Sequence, residues 1–201
     1  MKEQKFRHSI DLDRYTHSVS DTWRWRPAAG TDVEEICDLA LVHFRSESEE
    51  IFENNPVEYS RNVTLAIVTQ FYNPRMELFS VARSTVNDQL VAYTWAKRGH
   101  HVAWSTEEMV SVQMAHIDQN LSARERVFLC AQMIQMWEVW SAACDIKIIS
   151  SSTIRGDQTA FLDLHRSAGY SVRGSVAYKR LKNMSIQVEP SPFAETFMGA
   201  K

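Results

Sequence analysis

The sequence predicts a single layered α/β domain of mixed α+β character, with a mixed central sheet flanked by helices and a tail at each end. Three observations lead there. The chain has 201 residues, a length that suits one domain. Segments of period-two alternation and segments of helical spacing follow one another as strand, helix, helix, three strands, helix, strand, helix, strand. A short, continuously apolar segment after a long apolar helix points to a parallel crossover, while two strands joined by a short turn point to antiparallel pairing.

Residues 1–20 are polar without a sustained period and read as an N-terminal arm. The domain is expected over 21–182. Trp23–Arg26 alternates as a strand, and Pro27–Gly30 ends it. Thr31 and Glu34 have the spacing of a capping box, with Val33, Ile36, Cys37, Ala40 and Phe44 behind them at helical spacing. The acidic run 46–55 reads as a solvated helix end, or as a wall that attracts a cationic substrate. Pro56 can open a second helix to about Tyr72, with Val63, Ile67 and Phe71 on one face and Asn73-Pro74 as its stop.

Glu77–Arg83 and Gln89–Lys97 read as a hairpin about the turn Ser84–Asp88, and Gly99-His100-His101 as the next turn. Glu108–His116 alternates as a strand. Ser122 and Glu125 form a second capping box, and the helix behind it, about 123–143, is apolar on several sides and expected to be buried between layers. Ile146–Ser150 is a short strand of continuous apolar character, Asp157–Ala168 a helix closed by Gly169, and Tyr170–Leu181 a last strand region. Residues 183–201, with Pro190 and Pro192, form a C-terminal tail.

Composition excludes several functions. Hydrophobic residues are 44% and charged residues 23%, which argues against a disordered chain. The net charge of −3 supplies no bulk basic field, so neither nucleic acid nor an anionic membrane is an expected partner. No segment is apolar for long enough to span a membrane, and the opening residues lack the apolar core of a signal peptide. Cys37, Cys130 and Cys144 show no CxxC spacing and read as reduced core thiols, consistent with a cytoplasmic protein. His100, His101 and His116 match no metal-ligand spacing, so no metal is expected. The tryptophans, two of them on the long helix, read as core rather than as a stacking platform.

Two local patterns carry a family resemblance. Trp25-Arg26-Pro27-Ala28 with Thr31-Asp32-Val33-Glu34-Glu35-Ile36 resembles the opening of the GNAT (GCN5-related N-acetyltransferase) family. Ala160–Tyr170, with His165 and Gly169, resembles its closing "Y-e-k-x-G-F" pattern. The likeness covers about 23–182 and implies a GNAT-like fold, an acetyl-CoA or other acyl-CoA cofactor, and an amine-bearing substrate that attacks the thioester directly.

On that resemblance, Ser122, Ala123, Arg124 and Arg126 stand where the family binds the CoA pyrophosphate. Met114 and His116 stand where backbone amides meet the acyl carbonyl, and Asp157 where an asparagine touches the cofactor. His165 takes the place of the tyrosine that protonates the thiolate, and Glu108, beside Glu107, that of the base. The family's phosphate loop is Q/R-x-x-G-x-G/A, because glycine lets the backbone approach phosphate at a helix start. Here Ile117–Arg126 contains no glycine, and none occurs between Gly99 and Gly156. Glu125, as a cap, would set a carboxylate where phosphate belongs. Two functions therefore stand side by side. One is an acyl-CoA N-acyltransferase with an unusual cofactor loop. The other is a non-catalytic GNAT-fold subunit of a larger assembly, such as a phage particle, with protein partners held through the terminal tails.

Overall fold

Five strands form one sheet in the order β1 (Trp23–Pro27), β2 (Glu77–Ser84), β3 (Leu90–His100), β4 (Met109–Ile117), β5 (Ile148–Ser150). The computed structural model describes residues 22–47, 52–153 and 158–173. The first four strands are antiparallel, and β5 joins β4 in parallel after a helical crossover. Helices α1 (Val33–Glu47) and α2 (Pro56–Tyr72) cover one face, and α3 (Ala123–Ala143) and α4 (Thr159–Ser167) the other. The mixed α/β architecture and the element order expected from the sequence are observed as far as α4.

Each face buries its own core. Ile36, Ala40, Val63, Ala66 and Ile67 pack on Phe79, Val81, Leu90 and Tyr93. On the opposite face Leu129, Met133, Trp137 and Trp140 pack on Leu78, Ala82, Ala92 and Val110. The indoles satisfy their N–H groups while their rings are buried, as buried tryptophans require. Trp23 and Trp25 both donate to Gln132 Oε1, at 3.1 and 2.9 Å. Trp137 donates to Thr94 Oγ1 and Trp140 to the Pro74 carbonyl, each at 2.8 Å. These bonds fix α3 across the sheet.

Several local expectations change. The Thr31 cap is replaced by Asp32, which ends a 3-10 turn over Gly30–Asp32 and accepts the Ala29 N–H at 2.8 Å. Asp32 is 1% exposed and also binds Arg26, at 2.6 and 2.7 Å, and Arg83, at 3.0 Å. Burial pushes its carboxyl up, but those hydrogen bonds and the two guanidinium charges outweigh it and hold the group below its ordinary value.

Phe71 is exposed, and Gln70 takes the inward position. The Gln70 amide donates to the Phe79 carbonyl and accepts the Phe79 N–H, so a buried polar side chain is fully paired. Helix α3 is not enclosed all round: Val127 and Phe128 are exposed. Gly99 lies within β3 at φ +90, where a bulge lengthens that strand, and the turn follows it. Residues 170–173 are not in a strand, and the rest of the expected last strand lies outside the described residues, as do 1–20, 183–201 and part of the acidic run.

Candidate functional site

The site expected from the sequence lies along β4 and the start of α3. Pairing between β4 and β5 runs only from Met109–Ile148 to Ser111–Ser150. Beyond that point 112–117 has no strand paired on this side among the described residues. A β-bulge falls at the same place: Trp95 faces Met114 and Ala96 faces Val112, leaving Gln113 as the extra residue on β4.

The bulge shifts the strand's phase. Val110 and Val112 join the core under α3, whereas Met114 joins the core under α1 and α2. His116 follows Met114, with its ring against α1. Simple alternation had put all four on one face.

His116 is 8% exposed and stacks on His43 of α1, with ring centroids 4.3 Å apart and planes 7° from parallel. His116 Nδ1 lies 2.6 Å from the Tyr93 hydroxyl, which lies 2.7 Å from the Tyr59 hydroxyl. His43 Nε2 donates to the Ile117 carbonyl at 2.9 Å. Burial raises the Tyr59 hydroxyl well above its ordinary value, so that hydroxyl stays protonated. The cluster draws on α1, α2, β3 and β4 and joins both helices to the sheet. Sequence reasoning missed it, because no local spacing connects four elements.

The β4–α3 junction closes on itself. Ser122 and Glu125 form the expected capping box. The Glu125 carboxylate accepts the Ser122 N–H at 2.9 Å and its hydroxyl at 2.7 Å, and the Glu125 N–H donates to Ser122 Oγ at 3.3 Å. The hydrogen bond from the Ser122 side chain, with that from its backbone, holds the Glu125 carboxyl below its ordinary value. Nearby amides are also engaged. Asn120 N–H donates to Asp118 Oδ1, Leu121 N–H to the Asp118 carbonyl, and Arg126 N–H to the Ser122 carbonyl. The Arg126 guanidinium donates to the Gln119 carbonyl at 2.8 Å, while Ala123 and Arg124 are exposed.

No hydrogen bond or ion pair joins His165 to Glu108 among the described residues. His165 is 3% exposed, against Phe161, Trp137 and Tyr170. Its Nδ1 lies 2.9 Å from the Phe161 carbonyl, which fixes the proton there and leaves Nε2 as an acceptor. Nε2 and the Tyr170 hydroxyl are buried without a hydrogen-bond partner among the described residues. Burial lowers the imidazole's proton affinity and pushes the Tyr170 hydroxyl up to about 12.

Glu108 is clamped by Arg98, at 2.6 and 2.5 Å, and accepts the Gly99 N–H. The Arg98 hydrogen bonds hold its carboxyl low, so it is a weak base. Asp157 lies outside the described residues.

A carboxyl that the sequence did not single out is Glu77. It accepts the Trp95 indole N–H at 2.6 Å, and burial raises its pKa. It shares a register row with Lys97, Ser111 and Ser150 across four strands. Among the described residues no group of three or more His, Cys, Asp or Glu is placed to hold a metal ion, and no helix is long and apolar enough to cross a membrane.

The chain is similar in structure to the aminoglycoside 6'-N-acetyltransferase AAC(6')-Ih of Acinetobacter baumannii, at 14% identity and TM-score 0.58, over 81% of this chain and 99% of that one. It is similar to the glucosamine-6-phosphate N-acetyltransferase of Arabidopsis thaliana at 9% identity and TM-score 0.58, over 80% and 99% of the two chains. It is also similar to the aminoglycoside N-acetyltransferase AAC(6')-Iy in complex with CoA, at 12% identity and TM-score 0.59, over 80% and 95%. No family model and no curated protein matches the sequence. Likeness at these identities establishes the fold alone: the mixed sheet and its flanking helices have a GNAT-like topology.

Proposed function

We propose that this chain is a non-catalytic GNAT-fold interaction subunit, which keeps the acyltransferase architecture but does not transfer acyl groups from CoA. The observation that carries this reading is the reciprocal cap between Ser122 and Glu125. A pyrophosphate at a helix start needs open amides and no competing anion. Here the Glu125 carboxylate already holds the Ser122 amide and sets a negative charge at the helix start, and the Asn120 and Leu121 amides are bound within the chain, which leaves the Ala123 and Arg124 amides as the open donors. The Glu125 carboxylate would compete with a CoA pyrophosphate for those two amides.

The acid and base positions support the same reading. His165 offers a lone pair rather than a proton at Nε2, and Glu108 is neutralised by Arg98. In this reading the terminal segments 1–20 and 183–201 make the contacts to protein partners.

A second reading, an acyl-CoA N-acyltransferase acting on an amine, is favoured by the Gln113 bulge at the end of β4–β5 pairing. In it Met114 and His116 line the acyl site, and Ser122, Ala123, Arg124 and Arg126 the phosphate site. His165 supplies the acid, and Glu108 or the raised Glu77 carboxyl the base.

A thiol-release assay with acetyl-CoA and a panel of primary amines, including polyamines, aminosugars and peptides, separates the two. The expected result is no thiol release above the buffer rate. Sustained, amine-dependent release overturns the non-catalytic reading and establishes the second.

A further inference from the structure

Helix α2 has two apolar faces, and only one is packed among the described residues. Val63, Ala66, Ile67 and Gln70 are buried against the sheet. On the opposite side Val57, Phe71 and Tyr72 are each 80% exposed, Leu65 is 63% exposed and Val68 45%. At 3.6 residues per turn these fall on one stripe with Arg61 and Thr64, directly opposite the buried one.

Arg61 and Thr64 on this stripe are already occupied. Thr64 Oγ1 donates back to the Ser60 carbonyl at 2.8 Å, which turns its methyl outward. Thr69, at the edge, does the same to Leu65. Arg61 is paired with Glu58. The rings of Phe71 and Tyr72 pack edge to face, 5.2 Å apart. What remains outward is an apolar strip about 25 Å long.

We propose that this face is a homodimer interface, with α2 packed antiparallel on α2 of a second copy about a two-fold axis near Leu65. Area supports this occupant. The outward side chains offer about 600 Å², and the Arg61 stem and Thr64 methyl bring this close to the roughly 800 Å² per partner of a standard interface.

Charge selects the direction. In the antiparallel arrangement Leu65 meets the partner's Leu65, and Phe71 and Tyr72 cover the partner's Val57. Arg61 then stands across from the partner's Thr69, one turn from the partner's Tyr72 ring, whose face is favourable to a cation. A parallel pair would set Arg61 against Arg61 and Glu58 against Glu58. A two-fold contact of this kind is self-complementary and closed.

The test is analytical ultracentrifugation of the full chain from about 1 to 100 μM, beside Leu65→Glu and Val68→Lys, with circular dichroism to confirm that both variants fold. The expected result is a wild-type dimer whose dissociation constant rises about 100-fold or more in either folded variant. Leu65→Cys should also give an oxidation-dependent covalent dimer that the parent chain does not. A wild-type monomer throughout the range overturns the proposal and leaves the stripe to the chain's own terminal segments or to a different protein. A dimer unchanged by both substitutions overturns it as well, since its interface lies elsewhere.

Discussion

Ser122 and Glu125 bind each other's backbone amides over the first turn of α3, and the Glu125 carboxylate also accepts the Ser122 hydroxyl at 2.7 Å. The start of α3 therefore already carries an anion from its own sequence, bound to the Ser122 amide. Ser122→Ala removes the cap oxygen and is expected to cost about 1 kcal/mol in urea unfolding. Ala123→Gly with Glu125→Gly frees the amides and removes the carboxylate. That double variant is expected to bind CoA more tightly than the parent chain in a thermal-shift titration.

Asp32 joins β1, β2 and the approach to α1 through Arg26, Arg83 and the Ala29 N–H. Asp32→Ala leaves that amide without its acceptor and Arg83 with only the outer partners Glu35 and Asp88. The expected cost is about 3 kcal/mol, with Asp32→Asn losing less, both read by denaturant unfolding. The Asp32 pKa is lowered in the fold, so its contribution is complete above about 3.9 and is lost as pH falls through the folded value.

His165 is expected to tolerate loss of its imidazole. With Nε2 buried and unpartnered, His165→Phe should leave stability at pH 7 within about 1 kcal/mol of the parent. The folded imidazole has a lowered pKa, so the fold requires it neutral. Its contribution is complete above about 6.5 and is lost as pH falls below that. His165→Phe should flatten the decline in melting temperature on acidification from neutral pH, and an unchanged decline would show that other groups cause it.

Tyr93 stands between two partners, the Tyr59 hydroxyl and His116 Nδ1. Tyr93→Phe removes both bonds at once and is expected to cost about 2 kcal/mol in thermal or urea unfolding. Tyr59→Phe breaks only the bond to Tyr93 and is expected to cost less.

What could be read from the sequence was local. The Ser122–Glu125 box and the Gly169 stop are short-range patterns, and both hold, Gly169 at φ +87. The element order could be read because hydrophobic periodicity switches clearly between strands and helices.

What could not be read depends on residues far apart in the chain. Asp32 replaces Thr31 because Arg83 lies across the sheet, and Gln70 is buried because it pairs with the Phe79 backbone. The Gln113 bulge was hidden because an inserted residue leaves apparent alternation intact while turning Met114 and His116 to the other face. Glu77 passed unnoticed because its carboxyl is perturbed by burial beside Trp95 on the neighbouring strand.

The most direct test of the central claim is isothermal titration of acetyl-CoA into the full chain, carried to about 1 mM ligand, with the melting temperature followed in parallel. The predicted result is no binding heat and no thermal shift over that range. Saturable binding in the micromolar range would mean that the Ser122–Glu125 cap gives way to the pyrophosphate, and would contradict the non-catalytic reading.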